Sequence, residues 1–187
     1  VKVGSLIEAV ASDVDALVRG GKLLVRIEEI DESSTVHGSA NAILKTLEDF
    51  GFQWHGEVIY QSQRKALYQD YLEQLSAKSL IYPCDCTRKS LKQIDVNRYG
   101  IRVYLGTGRQ KLLTASQPDA LRYKTATQTI VFNDVIQGPY QVNLDSEWGD
   151  FIVTSRDAYI ASLLVANIDD TDQAISHVVR GADFLDS

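Results

Sequence analysis

Residues able to do chemistry gather at four places in this chain of 187 residues. The only two thiols, Cys84 and Cys86, stand one residue apart. A Cys-x-Cys pair offers two soft ligands, half of what a tetrahedral metal site needs, and it is no disulfide framework. A reducing compartment is the default for such a chain, and a soluble cytoplasmic protein is expected. Acids cluster at Glu28, Glu29, Asp31 and Glu32, after an apolar run at residues 23–27. A carboxylate at the C-terminal end of a buried parallel strand lies where ligands of such sheets bind; a solvated acidic surface is the alternative. Gly4 and Ser5 open a helical pattern, and a helix N-terminus presents free donors to an anion. A plain helix cap explains the pair about as well. Finally, Arg88, Lys89, Lys92, Arg98, Arg102, Arg109, Lys111, Arg122 and Lys124 fall within residues 81–124, opposed by Asp85, Asp95 and Asp119. That is a local +6 within a total of −6. The total argues against a simple nucleic-acid binder, while the cluster suits phosphates through counterion release. Charge alone favours a solvated basic surface.

The elements that must position these groups alternate. Ser5 with Glu8 fits a capping box. Leu6, Val10, Val14, Leu17 and Val18 follow at helical spacing, and Gly20-Gly21 supplies the stop. Residues 22–27 suit a buried strand and residues 40–50 a helix with Ile43, Leu44, Leu47 and Phe50 on one face. Residues 58–60 suit another strand. Ser62 is placed to cap a helix carrying Leu67, Tyr71, Leu72 and Leu75. Helix and strand in alternation predict an α/β fold with a parallel sheet. From Cys84 to about Trp148 the segments turn short, polar and turn-rich, as in an insertion. The regular pattern resumes with a strand at 151–154, a helix capped by Asp157 and running to Ile168, and a strand at 175–179. The division expected is 1–82 for the first part of the core, 83–149 for the insertion and 150–187 for the second part. Hydrophobic residues make up 44% and charged ones 24%, which excludes disordered, collagen-like and coiled-coil classes. No apolar run approaches the roughly 18 residues of a membrane span, and no signal-peptide pattern opens the chain.

Seven stretches in this order resemble one family. They are Gly4-Ser5-Leu6, Leu24-Val25-Arg26-Ile27-Glu28-Glu29-Ile30-Asp31, Tyr60-Gln61-Ser62-Gln63-Arg64, Tyr82-Pro83-Cys84-Asp85-Cys86-Thr87-Arg88, Arg156-Asp157, Asp169-Asp170, and His177-Val178-Val179-Arg180-Gly181-Ala182-Asp183. The set is similar to the catalytic core of class I glutamyl-type tRNA synthetases, in the shortened form that acts on queuosine of tRNA(Asp). The resemblance runs nearly end to end. It implies a Rossmann-like parallel sheet of class I aminoacyl-tRNA synthetase type, interrupted by a small acceptor-end insertion. It also implies ATP, with magnesium, as cofactor, and glutamate and tRNA(Asp) as partners, with no membrane. The reaction implied is activation of glutamate by ATP and its transfer to queuosine, a tRNA modification.

On that resemblance, Gly4 and Ser5 match the last two positions of a His-aromatic-Gly-Ser ATP-binding signature, with Lys2 standing at the histidine position. Glu28 matches the acid that would recognise the amino group of glutamate, and Arg180 the arginine that would hold a carboxylate in its bidentate fork. No catalytic residue is assigned. Ser162 and Leu163 stand where the family has a substrate-contacting tyrosine and a neighbouring amide. Cys84, Cys86 and Tyr104 match three of four zinc ligands, and Gly108 stands at the fourth. The three histidines, His37, His55 and His177, lie outside the insertion, so the three ligands read as a remnant and a tightly bound zinc ion is not expected. The family's Arg-Phe-Ala-Pro-Ser-Pro and Lys-Leu-Ser-Lys-like segments do not occur in these 187 residues. Lys2, Gly108 and Ser162 together predict weak or no turnover by this chain. The alternative is a silent relative, or a fragment, that binds tRNA or a protein through the basic insertion. The sequence fixes no oligomeric state.

Overall fold

Glycine punctuation sets the ends of the first helices. In the computed structural model, which describes residues 3–31, 35–36, 38–86, 88–94, 96–97, 100, 102–109 and 120–185, helix α1 spans Val3–Arg19. Gly20 takes φ +63°, and the Gly21 N–H closes back on the Ala16 carbonyl at 2.8 Å, the bond that ends a helix in a left-handed cap. Ser5 lies inside α1 rather than at its cap, and Glu8 does not complete a capping box. Its carboxylate instead accepts the Gly181 N–H at 2.7 Å. The stripe expected in a core is turned to solvent: Val10, Val14, Leu17 and Val18 are all exposed, Val18 by 82%. The opposite, polar face carries Ser5, Glu8, Ser12 and Asp15 and lines a groove.

The chain forms two compact units, residues 1–68 with 165–187, and residues 69–164. In the first unit, β1 (Arg26–Ile27) pairs in parallel with β2 (Ile59–Tyr60), Arg26 opposite Ile59 and Ile27 opposite Tyr60. Only the end of the expected 22–27 strand joins this ladder. Before it, the Leu23 and Val25 carbonyls accept from the His55 and Ile59 N–H groups at 2.8 and 3.2 Å. Between the strands, α2 spans Ser39–Asp49 and stops at Gly51, φ +85°. Ser62 caps no α-helix, because Gln61–Arg64 is a 3₁₀ turn that runs into α3, Lys65–Ala77. Helix α5 spans Ser162–Asp172 and buries Val165, Ala166, Ile168 and Asp169. Asp157 does not cap it: residues 155–160 form a turn with Ala158 at φ +61° and a bridge from Thr154 to Ile160. Residues 175–179, expected as a strand, pair with no strand among the described residues. The unit closes on a 3₁₀ turn, Ala182–Phe184.

In the second unit, β3 (Ile81–Cys84), β4 (Ala120–Tyr123) and β7 (Ile152–Thr154) form an antiparallel sheet in the order β3-β4-β7. The strand expected near 151–154 thus forms, with the antiparallel β4 as its partner. A single helical turn, α4 (Arg88–Leu91), follows β3. β5 (Thr129–Asp134) and β6 (Gly138–Asn143) form a hairpin. Its turn is built by Asp134, whose carboxylate accepts from the Ile136 and Gln137 N–H groups at 2.8 and 2.7 Å. A π-helical turn, Leu144–Trp148, leads to Gly149 at φ +66°. There a Cβ would sit 2.5 Å from the Tyr104 carbonyl oxygen, so the close approach of the two backbones requires glycine. Among the described residues, no helix is long and apolar enough to cross a membrane.

Candidate functional site

A groove of about 960 Å³ in the first unit is lined by Ser5 and Glu8 of α1, by Arg26 and Glu28, by Asp170 of α5, and by Arg180. Three of the four residues singled out for glutamate and ATP, Ser5, Glu28 and Arg180, therefore face one cavity; Gly4 adjoins Ser5 at the exposed start of α1. Lys2, at the histidine position of the signature, lies outside the described residues. The volume is at the upper end of small-molecule pockets. Glu28 reaches the groove with its carboxylate held by Arg26 Nη2 at 3.0 Å, and its side chain stays 47% exposed. Arg26 also donates from Nη1 to Asp170 at 2.7 Å and to Gln173 at 3.2 Å. Burial works against the Arg26 cation, but Asp170 and Glu28 outweigh it and hold its pKa above the ordinary value. Arg180 is exposed, its guanidinium 6.0 Å from the centre of the Phe184 ring. The groove thus presents the Glu28 carboxylate, already paired with Arg26, and the exposed Arg180 guanidinium.

Beneath the groove, Asp169 is fully buried. It accepts from Gln61 Nε2 at 3.0 Å and from the Tyr68 hydroxyl at 3.0 Å. Arg64 Nε lies 3.1 Å and Arg26 Nε 3.6 Å from its oxygens, in ion pairs without an aligned hydrogen bond. Burial first, then Asp169, push the Tyr68 phenol well above its usual range. Arg64 also pairs with Asp172. This hub joins β1, the 3₁₀ turn, α3 and α5, and so fixes the backbone from which Glu28 and Asp170 project.

Sequence reasoning missed Arg26 and Glu8. Arg26 and Glu28 are two apart on an extended segment and so share a side, a signal that was available. Glu8 has the spacing of a capping partner, and nothing local distinguishes that role from a bond to Gly181.

The second unit holds the cysteine cluster. The Tyr104 hydroxyl lies 3.2 Å from Cys86 Sγ and 3.6 Å from Cys84 Sγ. It accepts the Gly108 N–H at 2.8 Å and the Thr107 hydroxyl at 3.2 Å. The expected remnant is therefore brought together. It does not fit zinc: two thiols and a phenol leave a fourth place unfilled, and at Gly108 no side chain exists to fill it. Among the described residues, no three His, Cys, Asp or Glu side chains gather as a ligand set.

The basic cluster is thinner than its count. Arg122 is buried, donates to the Asp150 carbonyl at 2.6 Å and lies 4.2 Å over the Tyr104 ring. Arg109 grips the buried Asp150 carboxylate, Nε to Oδ2 2.7 Å. Arg102 donates to the Lys92 and Ile94 carbonyls at 2.9 and 2.5 Å. Lys89, Lys92 and Lys124 remain exposed. Arg98, Lys111, Asp95, Asp119 and the Arg88 side chain lie outside the described residues.

The family model for tRNA synthetases class I (E and Q), catalytic domain, matches residues 3–187. The chain belongs to this family. Among relatives of this class I synthetase chain, a glutamyl-Q tRNA(Asp) synthetase of Neisseria meningitidis serogroup C is 43% identical over 187 residues, covering 98% of this chain and 63% of that protein. Another of the same name, from Thiobacillus denitrificans, is 44% identical over 183 residues, covering 98% of this chain and 61% of that protein. The chain spans about three-fifths of the length of these relatives. Two solved structures share the class I fold. A glutamate tRNA ligase from Elizabethkingia meningosepticum, in complex with its amino acid, gives a TM-score of 0.79 at 24% identity, covering 100% of this chain and 42% of that one. A glutamate-tRNA synthetase from Elizabethkingia anophelis gives 0.80 at 24% identity, covering 100% and 43%. The α/β fold expected from alternation and resemblance is thus the fold of this synthetase family.

Proposed function

We propose that the chain carries the glutamate-activating part of an enzyme that modifies tRNA(Asp) at queuosine. Glutamate enters the groove with its ammonium toward Glu28 and a carboxylate in the fork of Arg180. ATP meets Ser5 and the backbone donors of the first turn of α1, where the dipole favours phosphate. Magnesium accompanies the nucleotide's phosphates, as is usual for nucleoside triphosphates, and no side chain of this chain is assigned to it. A carboxylate oxygen of glutamate attacks the α-phosphorus, the bond to the bridging oxygen breaks, and pyrophosphate leaves. The glutamyl group of the adenylate then passes to queuosine, and AMP leaves. The work asked of the protein is positioning and charge neutralisation.

The observation that carries this reading is that Glu28 and Arg180 line one groove in a chain whose relatives bear that activity in their names. The test is transfer of radiolabelled glutamate, with ATP, to tRNA(Asp) with and without queuosine. Label on the queuosine-containing tRNA alone supports the proposal. Equal label on both, or glutamate-dependent pyrophosphate exchange with no transfer to queuosine, overturns the assigned acceptor. Slow exchange is expected, because Lys2, Gly108 and Ser162 depart from the family pattern; no exchange at all at saturating glutamate overturns the activity. A silent, tRNA-binding relative is the second reading, favoured by Ser162 and Gly108 and by the exposed Lys89, Lys92 and Lys124. A salt-dependent gel shift without exchange identifies it.

A further inference from the structure

The space at Gly108 is occupied. A Cβ built there would lie 2.8 Å from the Tyr104 hydroxyl and 3.8 Å from Cys84 Sγ. Gly108 is absent from the positive-φ glycines, so the backbone does not call for glycine; the phenol oxygen does. Tyr104 cannot easily withdraw. It is 4% exposed, its ring lies beneath the Arg122 guanidinium, and its carbonyl accepts the Asp150 N–H at 2.7 Å. Its hydroxyl ties together the Cys84 end of β3, Cys86, and the 104–109 turn, using four contacts of 2.8 to 3.6 Å. A structural zinc ion performs that same task in a closed four-ligand site, joining segments that a small sheet cannot hold by apolar burial alone. With two thiols in the whole chain, zinc here would leave a coordination place open beside a buried tyrosine and a buried cysteine.

We propose that Cys84, Cys86, Tyr104 and Gly108 form a metal-free tether, in which the Tyr104 hydroxyl, seated in the space of the missing residue-108 side chain, does the joining that a metal would otherwise do. The loss of a ligand at position 108 and the close seating of the phenol are two halves of one arrangement. A protein of this kind keeps its insertion folded without zinc supply, and chelators do not touch it.

The experiment measures zinc by elemental analysis in the 187-residue chain purified from zinc-supplemented medium and desalted, with thermal melts in the presence and absence of EDTA. The expected result is substoichiometric zinc and one melting temperature in both buffers. About one zinc per chain, or a melting temperature lowered by EDTA, overturns the proposal. Tyr104→Phe keeps the ring and removes the tether, and a melting temperature lower by at least about 3 °C is expected, the worth of a single one of the buried hydrogen bonds it breaks; an unchanged value overturns the role of the hydroxyl. Gly108→Cys supplies a third thiolate and is expected to retain about one zinc per chain. If that variant folds and retains none, position 108 is not the missing ligand and the pairing of its loss with the phenol fails. The wild-type measurements stand whether or not either variant folds.

Discussion

Replacing Asp150 by asparagine removes the charge on which the second unit closes. The carboxylate is 1% exposed and accepts from Arg109 Nε at 2.7 Å, the Tyr82 hydroxyl at 2.5 Å and the Thr125 N–H at 2.9 Å. Burial alone would raise its pKa, but Arg109, Tyr82 and the Thr125 N–H together bring it below the ordinary carboxylate value. Asparagine keeps one acceptor and turns two donors toward a site already full of donors, stranding part of the Arg109 charge. Removing one partner of a buried pair costs about 3–5 kcal/mol, and the lower figure applies where Arg109 keeps some solvent. At roughly 2–4 °C per kcal/mol for a chain of this size, Asp150→Asn should lower the melting temperature by about 6–12 °C. Urea unfolding gives the free energy, and a Trp54→Phe background leaves Trp148, half-buried just before Asp150, as the fluorescent reporter of this unit. The pH dependence has a definite sign. The folded pKa is depressed, so as pH falls the unfolded chain takes up a proton first. The contribution of Asp150 is full above the unfolded value near ~4 and is lost as pH drops through the folded one. The gap between wild type and variant is therefore constant from neutrality to about pH 5 and narrows below about pH 4. A gap under about 1 kcal/mol at neutral pH, or one that widens in acid, refutes the reasoning.

Other perturbations read other parts of the molecule. Asp169→Asn should cost about 3 kcal/mol in urea, since Arg26 and Arg64 lose their shared counter-charge; a change within the scatter of surface substitutions would remove the hub from the account. Arg180→Ala should raise the KM for glutamate about tenfold to a hundredfold, the worth of a charge-assisted bond to a carboxylate, with the circular dichroism spectrum unchanged. Glu28→Gln should do the same to a smaller degree, and an unaltered KM in both would detach the groove from glutamate. Gly149→Ala forces a Cβ onto the Tyr104 carbonyl in a left-handed backbone, so a loss of at least about 2 kcal/mol is expected in the same unfolding assay.

Helix ends were legible because they are written locally. Gly20-Gly21 and Gly51 stop α1 and α2 where the sequence places them. The cysteine cluster was legible too, since Cys84, Cys86 and Tyr104 come together as the family spacing implies. Most of what failed depends on partners distant in sequence. A strand exists only when another pairs with it, so residues 175–179 have the composition of a strand without being one. The bases Arg109 and Arg122 counted toward a solvated basic surface because the acid that engages one and the carbonyl that engages the other belong to Asp150, 41 and 28 residues away. Asp157 had cap chemistry, but the bridge between Thr154 and Ile160 delays the helix until Ser162.

The orientation of α1 governs how the protein behaves in the tube. With Val10, Val14, Leu17 and Val18 facing water, the first helix offers a hydrophobic dye such as ANS a ready surface in the native state. It also lowers the ammonium sulfate concentration at which the protein leaves solution. Dye fluorescence, usually read as a sign of a loosened interior, is therefore expected of the folded chain, and unfolding should be followed by another probe.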